Sequence, residues 1–241
     1  MPKAWDKARI VNHLAAVHGY RHYLELCAAT TGQRYDAMDR RRLSCRRLSY
    51  LTQNEHPDGL GIDYRSLDRE IGACLAQMAQ DGFAFDIALV DLWHEYETSW
   101  RDLNEAFRLL PAAGTLVVHD CLPDRVELTG PAYRPGSWCG RTFEAYVDFV
   151  HGRNDLTFYT VDCDYGCGVI RKKPPATGLR MRARTGASML RRLPTRRLRR
   201  HWRQAKQAGG DDLFAFFQAN RVALLNLISA EDFSARAILD P

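Results

Sequence analysis

At 241 residues, with 46% hydrophobic and 26% charged side chains, the chain is long enough for one well-buried α/β domain and has the make-up of an ordinary globular protein. No apolar run approaches the roughly 18 residues a bilayer span needs and the opening residues lack a signal-peptide core, while seven scattered cysteines point to reduced thiols, so a cytoplasmic protein without membrane contact is expected. The net charge of +5 is uneven: fourteen of the 34 basic residues lie between Arg171 and Lys206 without one Asp or Glu, leaving 20 basic against 29 acidic side chains elsewhere.

Ala8 to Tyr20 places Ile10, Val11, Leu14, Ala15 and Val17 on one face, a first helix for packing on a sheet. Tyr23 to Cys27 reads as the first strand, followed by a turn of small residues from Ala28 to Gly32. Such a turn lets a cofactor approach the backbone at a helix N-terminus, but no G-x-G-x-x-G is present, and the residues alone read as a plain tight turn. The arginine-laden stretch from Asp36 to Arg47 is expected as a solvated helix face, Arg47 to Leu51 as a second strand and Gly61 to Tyr64 as a short third. Leu67 to Gln80 has the apolar spacing of a helix, with Ile71, Leu75 and Met78 on one face.

The chain is organised around its next stretch. Asp86 to Val90 is a buried-type strand that ends in Asp91, and Thr115 to Val118 is a second that ends in His119-Asp120. Between them Glu97 to Leu110 repeats apolar residues (Trp100, Leu103, Ala106, Phe107, Leu110) at helical spacing, stopped by Pro111 and Gly114, with Asp102 expected on the solvent side. Two buried strands joined by a crossover helix are parallel and send both polar tips to one edge. Asp91, His94, His119 and Asp120 are therefore expected in one crevice at the ligand-binding edge of an open sheet.

Leu122 to Gly140, rich in Pro and Gly, is expected as a functional lid with Tyr133 and Trp138 as its apolar anchors. A helix from Arg141 to His151 and an antiparallel hairpin, Leu156 to Val161 with Gly168 to Arg171, close the regular pattern. The single Cys-x₃-Cys of Cys163 and Cys167 offers too few ligands for a zinc site. The expected architecture is α/β: a doubly wound, mostly parallel seven-stranded sheet over residues 1–173, with a basic and helical extension over 174–241. The basic run from Arg180 to Arg203 reads as a solvated helix on an acidic body rather than a nucleic-acid surface, because interleaved aromatics are missing. Asp212 to Phe233 is a helix apolar enough to require docking on the body or on a second subunit, as in a homo-oligomer.

The run VDLWHEYETSWRDLNEAFRLLPAAGTLVVHDCLP resembles the D-G-x-H-x-Y…D…L…G-G…D-D/N segment of class I S-adenosylmethionine-dependent methyltransferases. The similarity lies with their metal-assisted small-molecule and sugar O-methyltransferase and cephalosporin-hydroxylase-like branch. YLELCAATTG stands where that family has its Y-L-E-I-G-x-x-x-G cofactor loop, and YTVDCDYGCGVIRK resembles its closing hairpin. The resemblance implies S-adenosylmethionine as cofactor, held by Glu25, Cys27, Ala28, Thr30, Thr31 and Gly32 together with Asp63 and Ser66. It implies Mg²⁺ or another divalent metal on Asp91, His119 and Asp120, and a small-molecule hydroxyl as substrate, with His94 as general base beside Asp91. Cys27 and Ala29 stand where glycines are usual, as does Leu92, and a Cβ at the first crowds the place of the methionine moiety. The competing expectations are the same scaffold running other metal-dependent chemistry, or a non-catalytic binding protein.

Overall fold

The computed structural model describes residues 4–28, 33–50, 62–66, 71–91, 93–134, 137–175 and 192–239. Among these, β1 (His22–Cys27), β2 (Ser44–Tyr50), β3 (Tyr64–Ser66), β4 (Ile87–Asp91), β5 (Thr115–Val118), β6 (Leu156–Val161), β7 (Cys167–Lys172) and β8 (Leu227–Ile228) form one sheet. Its order is β3-β2-β1-β4-β5-β7-β6-β8, one strand more than expected. The first five in that order are mutually parallel, β7 runs antiparallel to both β5 and β6, and β8 runs parallel to β6. The strand order reverses between β1 and β4, the switch point at whose carboxyl end a crevice opens.

The helices are α1 (Lys7–His18), α2 (Gln33–Asp36), α3 (Gly72–Gln80), α4 (Tyr96–Leu109), α5 (Thr142–Gly152), α6 (Arg192–Ala208), α7 (Gly210–Leu225) and α8 (Ala230–Leu239). Because strand side chains alternate, β4 feeds two cores: Ala88 and Val90 meet Leu103, Phe107 and Tyr146 of α4 and α5, while Ile87 and Leu89 join Ile10, Val11 and Leu14 of α1. The start of α1 is set by Asp6, whose side chain accepts from the Arg9 backbone at 2.9 Å, and its end by Gly19 in the left-handed region at φ 70°. Its first residue, Lys7, is thereby held at the carboxyl edge of the sheet. Among the described residues no helix is long and apolar enough to cross a membrane.

Four expectations change. The arginine-rich stretch is a turn and the beginning of β2 rather than a helix face, and Arg47 is fully buried because its in-register neighbour on β1 is Glu25. The third strand lies at Tyr64–Ser66, just beyond the expected GIDY. The buried arc of α4 is rotated toward α5: Ser99 and Asp102 are buried and Trp100 is half-exposed, since the helix is covered by α5 as well as by the sheet. The expected helix over 212–233 is broken at Asn226, whose φ of 46° caps α7 and turns the chain into β8 before α8 begins. Leu213, Phe217, Leu224 and Leu225 of α7 dock on the chain's own body. The expected boundary after 173 falls between β7 and α6, and β8 adds the C-terminal part to the same sheet.

Candidate active site

Five segments meet at the carboxyl edge. Asp91 is the last residue of β4, and His119 and Asp120 follow β5 directly, His119 donating its backbone N–H to the Val90 carbonyl at 3.1 Å. Asp120 has φ 60°, a left-handed conformation that Asp tolerates, and this turn lays its Oδ2 3.3 Å from His94 Nε2 and 3.1 Å from His119 Nδ1. His94 lies in the short connection before α4. Its carbonyl accepts the Arg141 backbone N–H at 2.6 Å, and a Cβ on Gly140 (φ 53°) would lie 2.3 Å from that oxygen, so the chain packs this closely on His94 only because residue 140 is glycine.

The remaining segments were not singled out by the sequence. Lys7 of α1 brings Nζ to 2.6 Å from Asp91 Oδ2 and 3.2 Å from His119 Nδ1. Asp164, in the β6–β7 turn, accepts the Lys7 backbone N–H at 3.2 Å with Oδ2, which also lies 3.5 Å from His119 Nε2. The pairing could have revealed Asp164: β7 runs antiparallel to β5, so the loop preceding β7 must fall at the carboxyl end of β5. Lys7 left no such signal, since its place depends on how α1 crosses the edge.

The charges hold one another. Burial opposes ionisation of Asp91, but His119 and Lys7 overcome it and keep its carboxyl well below the usual range. Burial likewise opposes charge on His119, yet Asp120 and Asp91 raise it well above an ordinary imidazole. Lys7 is raised against burial by Asp91, and Asp164 is lowered against burial to about 2 by His119, 3.5 Å away. The cluster thus sets two protein cations among three carboxylates.

A cavity of about 250 Å³ opens on this cluster, walled by Ala28, His94, Ser137, Trp138 and Tyr165. The Tyr165 hydroxyl donates to Ser137 Oγ at 3.2 Å, joining the hairpin turn to the lid. Trp138, anchored by its indole N–H on the Gly130 carbonyl at 2.8 Å, packs edge-on to His94 at 5.3 Å. Tyr133 is 56% exposed and packs against Trp138 and Trp93, so of the two expected anchors it is Trp138 that is buried at the cavity.

Of the expected cofactor residues, the described ones divide. Ala28 reaches the cavity, its N–H donating to the Asp91 carbonyl at 3.2 Å. Glu25 is buried 3.2 Å from Arg47 Nε and accepts the Tyr23 hydroxyl at 3.0 Å. Cys27 accepts from Arg47 Nε at 3.1 Å, and burial pushes its thiol up to about 12. Asp63 accepts the Arg47 backbone N–H at 2.8 Å, and Ser66 is buried at the end of β3. Thr30, Thr31 and Gly32, like Ala29 and Leu92, lie outside the described residues. Of that described set Ala28 is the one on the cavity, while Glu25 and Cys27 face the Arg47 guanidinium.

The metal expectation fares differently. One donor atom each from Asp91, His94 and Asp120 lies within 4.8 Å of the others, the span of a cation site, with His94 in place of the expected His119. Three of the four carboxylate oxygens are engaged, however: Asp91 Oδ2 by the Lys7 ammonium at 2.6 Å, and Asp91 Oδ1 and Asp120 Oδ2 by His119 Nδ1, each at 3.1 Å. A divalent ion there would face two protein cations, so these residues do not fit a resident metal.

Similarity of fold brings in solved structures. An O-methyltransferase from Bacillus cereus in complex with SAH superposes with a TM-score of 0.51 at 11% identity, over 72% of this chain and 84% of that one. A putative caffeoyl-CoA O-methyltransferase from Staphylococcus aureus does so with 0.51 at 11% identity, over 70% and 85%. No family model matches the sequence, and no curated protein matches it. What is shared is the Rossmann-like methyltransferase fold.

Proposed function

We propose that the chain is an S-adenosylmethionine-dependent O-methyltransferase acting on a hydroxyl of a small molecule, a sugar or secondary metabolite, with His94 as general base. The observation that carries this is the hydrogen-bond chain behind His94. Its Nδ1 lies 3.1 Å from Thr142 Oγ1, which lies 3.2 Å from Ser99 Oγ, which donates to the Trp93 carbonyl at 3.1 Å. Run toward that carbonyl, each group donates to the next, an assignment that puts the ring proton on Nδ1 and leaves Nε2, 3.3 Å from Asp120 Oδ2, as the unprotonated nitrogen.

An alcohol hydroxyl, with a pKa near the value of about 15.7 for water, needs its proton taken as its oxygen reacts. His94 Nε2 accepts it, and Asp120 Oδ2 at 3.3 Å stabilises the imidazolium that results. When bound, S-adenosylmethionine would supply a sulfonium methyl group as the electrophile for that oxygen. Ala28, on the same cavity, would lie beside that methyl donor, and Trp138, edge-on to the His94 ring, would keep bulk water off it. The likeness of fold to O-methyltransferases and the position of the cavity at the switch point support this choice.

Calorimetry with S-adenosylhomocysteine and a methyl-transfer assay on hydroxylated sugars and phenols test it. His94→Ala is expected to bind S-adenosylhomocysteine as the parent does and to lose about 10²–10⁴-fold in turnover. Equal turnover in the two proteins removes His94 as base. A second reading, the same fold with lost or altered cofactor use, is favoured by the Glu25–Arg47 pair, which closes the expected cofactor carboxylate into the sheet; failure of the parent to bind S-adenosylhomocysteine would select it.

A further inference from the structure

We propose that Lys7 is the resident cation of this site, its ammonium occupying the Asp91 carboxylate oxygen that a divalent ion would need, so that the protein works without a metal. As a statement about catalysis it rests on the O-methyltransferase reading; as a statement about charge it does not. The Lys7 side chain is 11% exposed and its ammonium is 2.6 Å from Asp91 Oδ2, closer than to any other group described around it.

Lys7 is fixed at both ends. Its backbone N–H donates to Asp164 Oδ2, and the Asp6 cap sets the helix turn from which its side chain departs. The side chain then crosses the edge to reach Asp91, 84 residues away in sequence. A magnesium ion takes its oxygen ligands at about 2.0–2.1 Å and asks for a near-octahedral shell. It cannot share Asp91 Oδ2 with an ammonium already at hydrogen-bond distance, because the two like charges would be pressed together in a buried site.

The substitution has a chemical consequence. An ammonium, with three donors, neutralises a carboxylate and can donate to an acceptor oxygen at the cavity that Lys7 helps to line. It does not acidify a bound hydroxyl as a divalent ion does, so the proton must go to a protein base. His94, on the same cavity and 3.3 Å from Asp120, is that base, and the two assignments support one another.

The test is Mn²⁺ binding, followed by calorimetry and by the electron paramagnetic resonance of the free ion, in the parent, Lys7→Met, Lys7→Arg and Lys7→Met/Asp91→Asn. The parent and Lys7→Arg are expected to show no saturable site below about 1 mM, and Lys7→Met to gain one site per chain, about tenfold tighter or more. Asp91→Asn in the Lys7→Met background should remove that site. Lys7→Gln replaces Lys7→Met if the latter does not fold, and the parent decides by itself: saturable Mn²⁺ binding that Asp91→Asn abolishes overturns the proposal. Absence of a gained site in a folded neutral variant overturns it too. Calorimetry with S-adenosylhomocysteine fails or succeeds independently, so the loss of the methyltransferase reading would not be confused with the loss of this one.

Discussion

Two halves of one sheet edge treat their charges in opposite ways. On the β1–β2 side Glu25 and Arg47 are cross-strand partners, both about 2% exposed at the side chain, and close on each other within the sheet. On the β4–β5 side Asp91 is the last strand residue, and His119 and Asp120 lie just past the last strand position, so their side chains project off the edge and onto a cavity. Both halves pair carboxylates with cations. What differs is distance from the strand end: Glu25 lies two residues before the end of β1, where side chains stand normal to the sheet and meet a neighbouring strand rather than a ligand. Placement relative to the last ladder bond, more than residue type, decides which charges are available for chemistry.

The largest expected effect would break that comparison on its closed side. Arg47→Ala leaves Glu25 buried without its guanidinium, and removal of one partner of a buried pair costs about 3–5 kcal/mol. Urea unfolding should show this as a lower midpoint. If instead the variant keeps its stability and loses S-adenosylhomocysteine affinity, Glu25 serves the cofactor and the two halves are alike. Next in size is Gly140→Ala, on the open side. The new Cβ would meet the His94 carbonyl at 2.3 Å from a backbone at φ 53°, and strain of this kind costs about 1–3 kcal/mol. Because the clash is with His94 itself, turnover should fall along with the melting temperature; a fall in melting temperature alone would mean that the lid's seat on His94 does not matter to the chemistry.

These contrasts also show what could be read from the residues. DIALV-D and TLVV-HD are visible because strands buried on both faces are continuous apolar runs, and a polar residue at their end has nowhere to go but the edge. The crevice holding Asp91, His94, His119 and Asp120 follows from that alone. Arg47 was hidden because a buried arginine is legible only through its partner on another strand, and RRRLSCRR presents several equal candidates. Lys7 was hidden more deeply: it precedes the apolar stripe of α1, and only the packing of that helix across the sheet edge brings it to Asp91. The break at Asn226 was masked by apolar residues on both sides, Leu224 and Leu225 before it and Leu227 and Ile228 after.

The smallest effect sharpens the comparison through pH. The folded carboxyl of Asp164 is lowered from 3.8 to about 2, so its contribution to stability is complete above about pH 4 and is lost as pH falls toward 2. His119 is raised well above 6.5, so its contribution is complete below about pH 6.5 and is lost only as pH rises through the raised value. The open cluster is therefore at full strength between about pH 4 and 6.5. On the closed side burial raises Glu25 above 4.5 despite Arg47, so its titration lies above that pH and leaves the acid limb untouched. Asp164→Asn should accordingly flatten the loss of stability between about pH 4 and 2 by about 1 kcal/mol, a figure reduced for its partial contact with solvent. Urea midpoints measured across that range in the two proteins check it. Parallel curves would mean that His119 does not hold Asp164 ionised, and that the acid limb belongs to carboxylates outside the site.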